Sequence, residues 1–250
     1  LSSFNPVKVL KSNIHVGRAA TLPRKILVVL QFSCSIALII STFIIYQQVQ
    51  YAKNRPSGYD KDRLMMTDMN DDLSKNYTAI RNEMREKGIA EMITTASRNV
   101  TTPGNHRDVD EWPGKKPGES VDMGYIHVTD DYFNTLGMKM KEGRNFSSSS
   151  DTLNVIFNEA AVKLLRLKNP INQQITYIDT RMKIIGVVKD AIMASPFEPA
   201  DPTIFMYDAT PQNVMMYRLS AGIKTQDAIT SLASIFNKYN PAYPFIYNFA

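Results

Sequence analysis

Residues 26–46 (ILVVLQFSCSIALIISTFIIY) run for 21 positions without a charged side chain. As a helix this run is about 31 Å long, close to the thickness of a bilayer's hydrocarbon core. Thirteen of the 21 residues are Leu, Ile, Val or Phe. Their insertion is worth on the order of −4 to −8 kcal/mol, less what Gln31 and the Ser and Thr hydroxyls give back. A signal peptide fits the run poorly. Its apolar stretch is shorter and ends at small residues, whereas Tyr46-Gln47-Gln48-Val49-Gln50-Tyr51 is bulky. Everything beyond residue 50 is therefore read as held beside a membrane.

Charge sets the expected orientation. Residues 1–25 hold Lys8, Lys11, Arg18, Arg24 and Lys25 and no acid, and the other 24 basic residues are matched by 24 acids. The net charge of +5 thus belongs to the short tail. A nucleic-acid-binding domain would carry its excess on the folded part, so the distribution tells against a nucleic-acid partner. A basic tail beside a span marks the cytoplasmic side. The expected organisation is a cytoplasmic basic segment at 1–25, a transmembrane helix at 26–46, a stalk or linker at 47–58, and a domain at 59–250 outside the bacterial inner membrane. The one cysteine, Cys34, lies in the span, so no intrachain disulfide can form. At 100° per residue, Gln31, Cys34, Ser35, Ser41 and Thr42 fall within about 120° of one another, a small and weakly polar stripe suited to packing against other spans.

Beyond the stalk the pattern is mixed. Residues 63–69 and 91–97 read as strands. Residues 74–87 read as a helix with Tyr77, Ile80 and Met84 on one side and Gly88 at its end. Residues 98–120 are rich in Pro, Gly and charge and read as a long loop or the entry to an inserted lobe. Residues 121–128 look extended, Thr129 can cap a helix running to Leu136, and Gly137 follows it. Met138 and Met140 alternate with Lys139 and Lys141 as in a half-buried strand. Asn158 can cap a helix over 159–165. Residues 175–178 and 182–188 suggest a hairpin, and 203–207 another strand. The end repeats the opening: 215–223 extended, a helix capped by Thr225, and 245–249 extended. The expected fold is α+β with two lobes on one transmembrane helix. The β-α-β units of both chain ends (59–97 and 209–250) form a membrane-near lobe, and 98–208 form an inserted lobe.

Chemistry-bearing patterns are sparse. No GxxxxGK[ST] loop is present, so ATP hydrolysis is not expected of this chain. His15, His106 and His127 have no ligand spacing, and no metal site is expected. Asp130-Asp131 fits a helix N-terminus, and Asp108, Asp110 and Glu111 fit a solvated loop. No Gly-x-Ser-x-Gly elbow occurs. No catalytic or cofactor-binding residue is assigned, and the chain is read as not an enzyme. The methionines at 65, 66, 69, 84, 92, 138, 140, 215 and 216 sit at or beside apolar periodic positions and read as core. Trp112, between Glu111 and Pro113, is the one residue singled out for a partner contact; folding back onto its own lobe is the other reading.

Several blocks in order resemble a known family. Asp131-Tyr132-Phe133 and then Leu136-Gly137-Met138-Lys139-Met140-Lys141-Glu142-Gly143-Arg144-Asn145-Phe146 resemble the MacB-like periplasmic core domain of FtsX-like ABC permeases. So do Val155-Ile156-Phe157-Asn158-Glu159-Ala160-Ala161, the turn Asn169-Pro170-Ile171-Asn172-Gln173-Gln174-Ile175, and Ile184-Ile185-Gly186-Val187-Val188-Lys189-Asp190. Ser3-Phe4-Asn5-Pro6-Val7-Lys8-Val9-Leu10-Lys11 is similar to the cytoplasmic segment that follows a span in these permeases. Asn172 stands where the family usually has Gly, a position Asn can fill in a left-handed turn. One span is present where the family has several, so the chain is expected to be a piece of a longer permease.

The resemblance implies a permease subunit that binds no cofactor itself, with ATP bound by a separate cytoplasmic ABC ATPase. It implies packing against the other membrane helices of the permease, a homodimer or pseudo-dimer, and a periplasmic or outer-membrane protein partner. The implied work is mechanotransmission or export: ATP-driven motion of the spans reaches the periplasmic domain through the stalk. The alternatives are a single-span membrane-anchored periplasmic sensor or ligand-binding domain and, third, an anchored periplasmic enzyme.

Overall fold

The computed structural model describes residues 18–102, 104–147, 149–193 and 195–250. The Ser3 to Lys11 segment and the basic residues Lys8 and Lys11 lie outside the described residues. Arg18–Asn54 form one unbroken helix, α1, so the stalk expected after residue 46 is helical as far as Asn54. On its polar stripe the hydroxyls of Ser35, Ser41 and Thr42 donate to the carbonyls of Gln31, Ala37 and Leu38 at 2.9, 2.8 and 2.8 Å. These bonds satisfy the hydroxyls within the helix, so they need no partner in lipid.

Residues 56–250 form a separate compact unit. Its eleven strands join one sheet, and the strands of the two chain ends interleave at one side of it. β1 (Leu64–Asp68) and β2 (Ala90–Ala96) flank β10 (Val214–Leu219), and β11 (Asn248–Phe249) lies outside β1, every neighbouring pair being antiparallel. β1 leads to β2 through α2 (Asp71–Lys75) and α3 (Tyr77–Glu86), and β10 leads to β11 through α6 (Thr225–Tyr239). Each β-α-β unit is therefore split by a strand of the other, a ferredoxin-like weave into which residues 97–213 are inserted.

The inserted strands continue the sheet. β4 (Asp122–Val128) runs parallel to β9 (Thr203–Tyr207). β9 runs antiparallel to β6 (Asn154–Asn158), β6 parallel to β8 (Thr180–Val188), and β8 antiparallel to β5 (Met140–Gly143). β3 (Asn105–Asp108) adds to β4, and β7 (Gln174–Tyr177) makes a hairpin with β8. The hairpin closes on Ile178 and Asp179, whose φ values are 51° and 56°. Two successive positive φ values give the twist that a two-residue hairpin needs. Asn172 has φ 66°, the left-handed turn expected of it.

Three apolar clusters hold the unit. Met65, Met215 and Tyr217 face α3 and α6, where Ile80, Met84, Leu232 and Phe236 are buried. Leu64, Met66, Val214 and Met216 alternate onto the opposite face. Strands covered on both faces read as continuous apolar runs, which is why LMM and VMM occur there. That opposite face is covered by α4 (Tyr132–Leu136), whose Tyr132, Phe133 and Leu136 also meet Ile126, Ile156 and Phe205 of the inserted strands. The third cluster packs α5 (Glu159–Leu164) and Trp112 on Val155, Phe157, Ile184 and Ile204. Of the nine methionines read as core, Met65, Met66, Met84, Met138, Met215 and Met216 are buried, while Met92 is exposed.

Of the two readings of residues 98–120, the plain long loop does not hold: β3 pairs with β4, and Val100, Val109 and Trp112 are buried. Two caps need correction. Thr129 does not cap α4. Asp131 occupies that position with φ 61°, while the Thr129 hydroxyl accepts the Thr95 N–H at 2.8 Å. Thr225 is the first helical residue of α6, with Lys224 before it and no side-chain cap.

Candidate functional site

The seam between the two halves of the sheet is unusual. β2 and β4 share only the pair Ala96 and Val128. Side chains continue the bonding where the ladder stops. Thr94 and Thr129 hydroxyls lie 3.0 Å apart, Thr129 N donates to Thr95 O at 3.0 Å, and Gln212 N donates to the Thr95 hydroxyl at 2.9 Å. All three threonines are buried. Across the same seam Arg81 of α3 reaches Asp130 and Asp131 at 3.1 Å each. The Asp130-Asp131 pair thus stands at the start of α4, as read, and also serves an ion-pair network. With the shared apolar cluster, these bonds tie the halves into one body.

The segment that opens the 56–250 unit is equally tight. Ser57 O accepts the Ile192 N–H at 2.7 Å. Gly58 has φ +79°, and a Cβ there would lie 2.2 Å from Asp190 O. The chain leaving the helix is therefore fastened to the loop that follows β8.

That loop walls a cavity of about 350 Å³. Ile192, Met193 and Pro199 give it an apolar side; Arg98, His106 and Asp201 give it a polar one. His106 of β3 sits between two carboxylates, Nδ1 at 3.1 Å from Asp122 and Nε2 at 3.1 Å from Asp201. Asp201 is held by its backbone: its carbonyl accepts from Asn158 Nδ2 at 2.7 Å and from the Thr203 hydroxyl at 2.8 Å. Gly124 leaves room for its carboxylate, since a Cβ there would be 2.6 Å from Asp201 Oδ2. Arg98 Nη1 donates to Thr102 O at 2.9 Å, its Nε is buried without a partner, and desolvation pulls its pKa down.

Trp112 is folded back. It is 5 % exposed within the third cluster, with Lys115 Nζ over its ring at 5.2 Å. His127 lies on β4, where its ring meets Tyr125 edge-on. Asp108 and Asp110 bond the Ser120 hydroxyl and the Asp179 N–H. Among the described residues no group of three or more His, Cys, Asp and Glu side chains is placed to hold a metal ion. The meeting of Arg98, His106 and Asp201 escaped sequence reasoning. Its local signals were Gly104 and Gly124, which a strand-and-turn reading passes over.

A helix long and apolar enough to cross a membrane, followed by a mixed sheet with helices on its faces, defines an α+β domain behind one candidate span. The chain belongs to the MacB-like periplasmic core domain family, whose model matches residues 26–235. That domain is part of permease-type proteins of ABC transporters. Among solved structures the chain is similar to the periplasmic region of MacB from Actinobacillus actinomycetemcomitans, at 14 % identity and a TM-score of 0.55, covering 79 % of this chain and 92 % of that one. It is also similar to the extracellular domain of the noncanonic ABC-type transporter YknZ from Gram-positive bacteria, at 13 % identity and a TM-score of 0.50, covering 75 % and 98 %. No curated protein matches by sequence.

Proposed function

We propose that this chain is the extracytoplasmic domain and adjoining span of an ABC permease, and that it relays ATP-driven motion to partners outside the bacterial inner membrane. In this reading a separate cytoplasmic ATPase supplies the energy, the permease works as a dimer or pseudo-dimer, and the domain is not catalytic. The observation that carries it is the family match running unbroken through both the apolar helix and the sheet. Mechanical relay also needs a stiff receiver. The Ser57 and Gly58 fastening and the cluster shared across the seam supply one, because packed interiors move as blocks rather than deform.

The test is a flexible Gly-Ser insert after Gln50 in the full-length permease, reconstituted with its ATPase. ATP hydrolysis should persist while export or partner activation is lost. Full output through the flexible insert would contradict the relay, as would failure of any ABC ATPase to associate with the full-length protein.

A further inference from the structure

We propose that the cavity beside Arg98 binds a small organic carboxylate with an apolar body. The guanidinium is the group that points to the ligand. Among the described residues it makes one hydrogen bond, from Nη1 to Thr102 O at 2.9 Å, and leaves Nε buried and unpartnered. Among the described residues no carboxylate lies within ion-pair distance of it. Arg98 is half-buried, and a partly desolvated charge gains from a counter-ion.

A Cβ on Gly104 would fall 2.4 Å from Nη1 and 2.5 Å from Cζ. Glycine at 104 thus leaves the guanidinium the space it occupies beside the cavity. Asp201, the acid near enough to influence Arg98, is taken by His106 Nε2 at 3.1 Å and lodged against Gly124.

The remaining wall defines the ligand. A planar guanidinium edge matches a carboxylate. Ile192, Met193 and Pro199 offer an apolar side to the rest of the molecule. Asp201 and Glu198 also line the cavity, and their repulsion grows with the charge of the occupant, which disfavours a dianion such as phosphate more than a monoanion. The volume of about 350 Å³ lies at the small end of ligand sites, which suits a compact acid. Ile192 is also the residue whose N–H holds Ser57, so an occupant would press on the loop fastened to the chain leaving α1. The proposal goes beyond the coupling reading and does not depend on it.

The experiment is isothermal titration of the whole chain in lipid nanodiscs with acetate, hexanoate and 4-phenylbutyrate, each against its primary amide. Partition into lipid is removed by subtracting empty discs. The two apolar acids should bind saturably, about tenfold or more tighter than their amides, as a charge-assisted bond requires. Arg98→Gln should remove the preference for acid over amide. Gly104→Ala should weaken it by crowding the guanidinium. Equal binding of acid and amide to the wild-type chain would overturn the proposal without any variant. So would an Arg98→Gln chain that keeps the preference, or no saturable binding of either apolar acid at millimolar concentration.

Discussion

Replacing Asn158 by Ala should be among the costliest single changes in the domain. Its Oδ1 accepts the Ala161 N–H at 3.0 Å, capping α5, and the Thr203 N–H at 2.9 Å, while its Nδ2 donates to Asp201 O at 2.7 Å. The residue is 3 % exposed. Loss of the cap costs about 0.5–2 kcal/mol. Leaving the buried Thr203 N–H without an acceptor costs about 1–3 kcal/mol. The Asp201 carbonyl keeps its bond from the Thr203 hydroxyl, so its share is small. The expected loss is about 2–5 kcal/mol, against a total of about 5–15 kcal/mol for a typical domain. Urea unfolding followed by fluorescence suits the question, because Trp112 is the only tryptophan and is buried in the cluster that α5 covers. Asn158→Ser, which can cap but is too short for the other two bonds, should fall between. A loss below about 1 kcal/mol for the alanine variant would refute the view of Asn158 as a three-way node.

Acid should act through Asp151, which is fully buried and accepts from Arg144 at 2.9 and 2.7 Å, from Ser147 N at 2.8 Å and from Asn154 Nδ2 at 2.7 Å. These donors, Arg144 first, hold its carboxyl far below the usual carboxylate range. A depressed pKa contributes stability that is complete above about pH 4 and is lost as pH falls below it. Asp151→Asn should therefore be destabilised at pH 7 and show a flatter acid limb in urea midpoints measured from pH 7 to 2; an unchanged limb would contradict this. Gly58→Ala places a Cβ 2.2 Å from Asp190 O at φ +79°, so hydrogen exchange at the Ile192 amide should accelerate markedly while the sheet stays protected. Converting Ile178-Asp179 to Asn-Gly suits the two positive φ values and should raise stability by about 1 kcal/mol, read by urea midpoint. A lowered midpoint would show that the turn is held by something other than its own backbone preference.

Much of the fold was legible because local chemistry was honest about it. The charge-free run gave the helix, Asn158 gave the start of α5, and alternation gave the β7–β8 hairpin. The family-like blocks turn out to be structural. Gly143 has φ +72° and would place a Cβ 2.2 Å from Ile185 O, Gly186 would place one 2.4 Å from Arg144 O, Arg144 grips Asp151, and Phe146 enters the core. They encode how β5 pairs with β8. What escaped the sequence was whatever depends on distant partners. Thr129 has every local mark of a cap, yet its hydroxyl is used across the seam by Thr95. The interleaving of β10 between β1 and β2 joins residues more than a hundred positions apart. The cavity has the same character: residues 98, 106 and 201 meet only once the sheet is formed. Of the two readings of Trp112, partner contact and folding back onto its own lobe, the ring takes the second, because hydrogen bonds between Glu111 and Thr176 carry that segment onto β7.

The account rests most on the side of the membrane that the sheet occupies. Cys34→Ala frees the chain of native thiols, and single cysteines can then be placed by Gln226→Cys, at the exposed start of α6, and Ser12→Cys, in the basic tail. Intact cells treated with a membrane-impermeant maleimide, after the outer barrier has been opened, should label position 226 at once and position 12 only after the inner membrane is permeabilised. Labelling of position 12 in intact cells, with position 226 protected, would put the domain in the cytoplasm and contradict the assignment of an extracytoplasmic relay.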